Sequence, residues 1–291
     1  MSEFSESLSL PGGLHLEASG ERFRLHRLPP WQPGPADSLS ARGSARATRQ
    51  LMSGAMYAGF SAAVAAATGP RPSSAQRDVF LRYVHGLAAG WRTTGVTPDA
   101  MRLAADRLEE RGQVTVAAYC RHVAEEETGH DTLAWLDMEA LGLPAATFVD
   151  RLRPHTAMAL AERHRALAEA AEPIAVLGYA YVLERTSLNV TAEVIAEVEA
   201  ALPAGVVATR CLRVHSAVGS DIGHVDESLE FIAGLDARDR AIIAREAFNT
   251  ARIMGGGDDY PGDDAMRDLL TDLGLLTGPG VIQPAPARAC A

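Results

Sequence analysis

The sequence predicts an all-α protein, and three observations carry that prediction. Apolar residues recur with the 3.6-residue helical period from about residue 46 almost to the end of the chain. Helix starts and stops punctuate the pattern at Thr97-Pro98, Gly112, Gly142 with Pro144, Pro173, and Gly234 with Asp236. Period-two alternation, the mark of strands, is confined to residues 13–28.

In chain order, Leu14, Leu16, Phe23 and Leu25 share one face around Ser19-Gly20, which predicts a short hairpin. Pro29, Pro30, Pro33 and Pro35 follow, a stretch that cannot hold a helix interior. Helices are then expected over 46–67, 76–91, 98–111, 114–141, 145–170, 174–199, 206–234, 237–253 and 264–273. Thr97 reads as an N-cap with Pro98 at the first helical position, and Gly112 as the stop. Gly278, Pro279, Pro284 and Pro286 predict a disordered tail. The expected organisation is an N-terminal extension over 1–45, a helical domain over 46–277 that carries the chemistry, and a tail over 278–291.

Composition removes several function classes. The 291 residues carry a formal charge of −10, a field that repels phosphate backbones and anionic lipid, so neither nucleic acid nor a membrane surface is expected as a partner. No stretch approaches the roughly 20 apolar residues of a bilayer span. The first ten residues have neither a basic region nor an apolar one, so a cytoplasmic location is expected. All 27 basic residues are Arg, which excludes Schiff-base, pyridoxal-phosphate and P-loop lysines. Cys120, Cys211 and Cys290 are widely spaced and suit neither a disulfide framework nor a zinc site.

Three helices place polar groups on apolar faces. Over 114–141, Val116, Cys120, Val123, Ala124, Ala134, Met138 and Leu141 form one stripe. Glu127 and His130 fall inside it, whereas Glu125 and Glu126 point elsewhere. An unpaired carboxylate on a core face costs several kcal/mol, and a metal ion is one partner that removes that cost. Over 174–199, Glu184 follows ten uncharged residues and shares its face with Leu177, Ala180, Tyr181 and Leu188. A metal ligand and a buried Glu paired with an Arg are both consistent with that placement. Over 206–234, Asp221 and His224 interrupt a face of Val214, Ala217, Val218, Val225, Leu229 and Ile232. Two carboxylate-x-x-His helices with a lone Glu between them form the pattern of carboxylate-bridged di-iron bundles. Imidazole with carboxylate suits iron or manganese.

At Arg121–Asp131, Tyr181–Glu184 and Asp221–Glu227 the sequence resembles the haem-oxygenase-like di-iron oxidase and oxygenase family, related in fold to thiaminase II and the pyrroloquinoline-quinone synthase PqqC. The order and spacing match over roughly 46–255. The resemblance implies a seven-helix bundle, here with a hairpin-like N-terminal extension, and metal ligands at Glu127, His130, Glu184, Asp221 and His224. It further implies Glu127 and Glu184 as catalytic groups, two ferrous irons, molecular oxygen as co-substrate, and a homodimer. The substrate implied is a small molecule, an amino-acid-derived natural-product intermediate. Where the family usually has a further His, this chain has Ala217. His215, two residues away, lies on the opposite side of a regular helix and reaches the site only if a bulge at Gly219 re-registers it. The family's early Glu has no counterpart between Val79 and Arg107, where only Asp99 and Asp106 are acidic.

Two other classes remain open at this level: a metal-independent acid–base enzyme using the same groups, and an inactive partner subunit. Cys120 shares the Glu127 face and reads as a buried small hydrophobe, with nucleophile or soft ligand as the functional alternative. His85, His155 and His164 read as structural or solvated.

Overall fold

In the computed structural model, the described residues are 5–29, 34–67, 78–219, 221–256, 259–277 and 281–282; at 221, 222, 277, 281 and 282 only the backbone is described. The chain opens with an antiparallel meander of β1 (Glu6–Leu10), β2 (Leu14–Ala18) and β3 (Phe23–Arg27). Leu16 pairs with Leu8 on one side and with Leu25 on the other. The expected hairpin is therefore β2–β3, and a further strand precedes it. That strand alternates as well, with Glu6, Leu8 and Leu10 inward.

Helix α1 (Ala45–Ala66) starts at Ser44, whose side chain accepts from the Ala47 backbone N–H. Asp78 caps α2 (Val79–Thr94) in the same way, through Leu81. Helix α3 (Thr97–Glu109) begins one residue earlier than its Pro signal predicts, with Thr97 helical rather than capping. Helices α12 (Ala237–Met254) and α13 (Asp263–Asp272) follow the predicted bounds closely, and Asp236 caps the first of them.

The four longest expected helices behave differently, since each is divided. The 114–141 segment becomes α4 (Val114–Glu126) and α5 (His130–Ala140). The 145–170 segment becomes α6 (Ala145–Arg151) and α7 (His155–Glu169), parted at Pro154, which cannot sit inside a helix. The 174–199 segment becomes a short 3-10 turn (Pro173–Ala175), α8 (Val176–Ser187) and α9 (Ala192–Ala201). The 206–234 segment becomes α10 (Arg210–Val214) and α11 (Asp221–Gly234). At the C-terminus β4 (Leu276–Thr277) pairs with β5 (Val281–Ile282), so these two tail positions are strand; 278–280 and 283–291 lie outside the described residues.

Two apolar cores result. One joins the sheet to α1, α3, α4, α8, α11 and α12 around Leu8, Leu51, Met101, Tyr179 and Phe248. The other joins α2, α5, α6, α9, α10 and α13 around Leu81, Met138, Phe148 and Met266. The N-terminal extension is not a separate appendage, because Leu8, Leu10, Leu16 and Ala18 belong to the first core. Among the described residues, no helix is long and apolar enough to cross a membrane.

Candidate metal centre

The candidate groups meet at the seam between the two cores. Glu127 is the C-cap of α4, its backbone N–H donating to Val123 at 3.0 Å. The chain turns through Thr128 and Gly129 before α5 begins at His130. Gly129 has φ +89°, a left-handed conformation that only glycine adopts without strain. The expected single helix thus breaks between the carboxylate and the imidazole. The turn nevertheless holds them together, with His130 Nδ1 3.0 Å from Glu127 Oε2.

A second break brings in a residue that a regular helix keeps out. Helix α10 ends at Val214, and the chain folds back through 215–219, where the Ala217 N–H donates to the Val190 carbonyl at 3.0 Å. A side chain at Gly219 has no space, since its Cβ would lie 2.1 Å from the Val214 carbonyl oxygen. The break frees His215 from the helical register. Its ring lies edge-on to His130, centroids 4.9 Å apart.

Two ligand groups follow from this arrangement. Atoms of Glu127, His130 and His215 all lie within 4.8 Å of one another, and so do atoms of Glu127, Glu184 and His224. Glu127 belongs to both groups. The first group offers a cation two imidazoles and one carboxylate, the second one imidazole and two carboxylates, and both donor sets are of the kind that suits a borderline divalent transition metal. Glu127 is buried, and the other four are partly buried.

Of the five ligands expected from the sequence, Glu127, His130, Glu184 and His224 are brought together; the Asp221 side chain lies outside the described residues. His215 joins them through the loop, not through a helical bulge. Asp99 does not substitute for the missing early Glu. Its side chain is 90% exposed and pairs with Arg102 at 3.2 Å. Glu126, expected to point away, instead lies with Oε1 3.6 Å from His224 Nε2 and 3.5 Å from His122 Nε2, while His122 lies 3.4 Å from Glu227. His122, Glu126 and Glu227 form a third group able to hold a cation, on a more exposed face. The i,i+4 spacing of His122 and Glu126 within α4 is the signal in the sequence that sets them on one face.

No family model, no curated protein and no solved structure matches this chain.

A groove of about 850 Å³ opens beside the cluster, with Glu127, Glu184 and His215 in its wall. Cys120 stands apart from it, fully buried in the first core, with burial pushing its thiol up to about 12. It therefore remains a neutral thiol at physiological pH, and the nucleophile reading fails on those grounds. Cys211 also lines the groove, on α10.

Proposed function

We propose that this protein is a non-haem iron oxidoreductase of the haem-oxygenase-like di-iron kind, acting with molecular oxygen on a small molecule held in the groove. The observation that carries the reading is the double membership of Glu127, with a His-rich group on one side and a Glu-rich group on the other. The chain order Glu127–His130, Glu184, His224 supports it further. His130, His215 and Glu127 would hold one ion, and Glu127, Glu184 and His224 the other. When bound, ferrous iron would donate electrons to oxygen, and the oxygen so activated would take electrons from the substrate. The residues around it set the conditions for that chemistry. Glu126 places a negative charge beside the His224 ring, while Val123, Ala180 and Leu183 give the groove wall next to the ligand atoms an apolar lining.

The test is anaerobic titration of the metal-free chain with Fe(II), followed by metal analysis and oxygen consumption. Two equivalents are expected for the natural chain. Because Glu127 is shared, Glu127→Ala should lose both equivalents, whereas His215→Ala should lose only one. Full iron occupancy in the Glu127→Ala variant would end this site assignment, whereas no iron uptake by the natural chain would leave the metal-independent acid–base enzyme and the inactive partner subunit as the readings.

A further inference from the structure

A third set of metal-ligating side chains lies outside the Glu127 centre, on the seam between α4 and α11. His122 and Glu126 are one turn apart on α4, and Glu227 faces them from α11. His122 Nε2 lies 3.5 Å from Glu126 Oε1 and 3.4 Å from Glu227 Oε1, and ligand atoms of all three lie within 4.8 Å of one another. A tetrahedral ion bound at about 2.0–2.1 Å sets its ligand atoms about 3.3–3.4 Å apart, so the spacing already suits an ion. Two carboxylates outnumber one imidazole, and the group stays negative in either protonation state of the ring. Among the described residues no Arg pairs with Glu126 or Glu227; their ion-pair partners are His122 and His224 alone.

The seam is fixed right beside this group. Tyr119, one turn before His122, stacks on Phe231 of α11 with centroids 3.9 Å apart and 11° from parallel. Its hydroxyl lies 3.0 Å from Ser228 Oγ, next to Glu227. Packing that needs no ion therefore sets the three ligands, as a preformed cation site requires. The oxygen that faces His122 also faces the Glu127 centre, since Glu126 Oε1 lies 3.6 Å from His224 Nε2. Side-chain exposure falls along this line, from 46% at His122 through 33% at Glu126 to 17% at His224. None of His122, Glu126, Glu227 and His224 is among the described residues of the groove wall, so this line reaches the centre by a route separate from the groove.

We infer that His122, Glu126 and Glu227 bind a divalent transition-metal cation at the surface and that Glu126 passes it to His224, which makes this group the loading site of the Glu127 centre. One imidazole and two carboxylates, with water in the remaining positions, suit a borderline ion such as Fe(II), Co(II) or Zn(II). The passage is a ligand exchange without a redox step. The ion keeps its bond to Glu126 Oε1, releases His122 and Glu227, and gains His224, with its charge unchanged. Binding at the surface stands on the geometry of the three ligands, whereas the passage inward rests on the metal reading of the Glu127 centre.

Calorimetric titration of the metal-free full chain with Co(II), an oxygen-stable stand-in for Fe(II), tests the inference without any turnover. Beyond the two inner equivalents, the natural chain should bind a third and weaker one that desalting removes. His122→Ala and Glu227→Gln, at side chains about half exposed, should fold normally by circular dichroism and each weaken the third equivalent at least tenfold while keeping the other two. Glu127→Ala, which disables both inner groups, should keep the third alone. Anaerobic mixing with two equivalents of Fe(II), followed by a chelator at timed intervals, reads the passage inward. The inner centre of His122→Ala should fill at least fivefold more slowly than that of the natural chain and reach the same final occupancy. Binding that His122→Ala and Glu227→Gln leave untouched would overturn the surface site, and an unchanged filling rate would overturn the passage. A chain that takes up two irons but no third ion refutes the surface site alone. One that binds Co(II) at His122 and Glu227 but nothing at Glu127 refutes the oxidoreductase reading instead.

Discussion

His164 enters the folded protein fully buried, and neither ring nitrogen has a hydrogen-bond partner among the described residues. Its ring stacks on Tyr179, centroids 4.1 Å apart and 24° from parallel, so it serves α7 and α8 as a flat packing surface. Burial, with the Arg165 charge adding to it, lowers its pKa to about 3. The imidazole is therefore neutral when folded, whereas in the unfolded chain it takes up a proton below about pH 6.5. The unfolded state then binds more protons, and stability falls as the pH drops from about 6.5 toward 3. At pH 5 the linkage amounts to about 2 kcal/mol relative to neutral pH. His164→Phe should remove that dependence, read as a flatter urea-unfolding stability between pH 7 and 5. Identical pH profiles for the two proteins would show that the ring is protonated or solvated in the folded state. The sequence placed His164 among the structural or solvated histidines; its amphipathic surroundings could not say which, because full burial depends on α8 lying across it.

At the scale of elements, α1 and α12 begin within one residue of where the periodicity placed them, each at a capping side chain, Ser44 or Asp236, that acts within one turn of sequence. The divided helices carried their breaks inside a continuous apolar period, among them Thr128-Gly129, Pro154 and the run 215–219. Periodicity alone reads through such a break, because the apolar face resumes in nearly the same direction. Close packing has a local signature as well. A Cβ on Gly178 of α8 would lie 2.2 Å from the Ile243 carbonyl oxygen of α12, backbone against backbone. Gly178→Ala should therefore destabilise the protein by about 1–3 kcal/mol through overpacking. Gly86→Ala, also in a helix interior but facing open space, should stabilise it by about 0.5–1 kcal/mol. Thermal melts of the two variants shifting in the same direction would contradict the contrast.

Across the whole molecule, the N-terminal sheet is tied to the helical domain by a buried ion pair. Arg240 of α12 and Glu6 of β1 lie 3.1 Å apart, with side chains 0% and 1% exposed, and Arg240 also donates to the Ser40 carbonyl. Removing one partner from such a pair strands the other charge in the core, at about 3–5 kcal/mol. Glu6→Ala should lower the urea midpoint accordingly, and the double variant Glu6→Ala/Arg240→Leu should recover part of the loss. A Glu6→Ala variant within about 1 kcal/mol of the natural chain would show that this ion pair does not hold the sheet to the helices.

The helical class, the β2–β3 hairpin and the Glu127–His130 pair were legible in the sequence, because a period and a carboxylate-x-x-His spacing are properties of neighbouring residues. Tertiary structure decided what depends on residues far apart. It brought His215 to Glu127 across a broken helix, turned Glu126 toward His224, and enclosed one face of α2 in the wall of a groove. Two glycine-bearing turns and the junction of two cores set those directions, and no helical wheel contains them. The physical reason is that a wheel assumes one uninterrupted axis, whereas this centre is assembled where axes end.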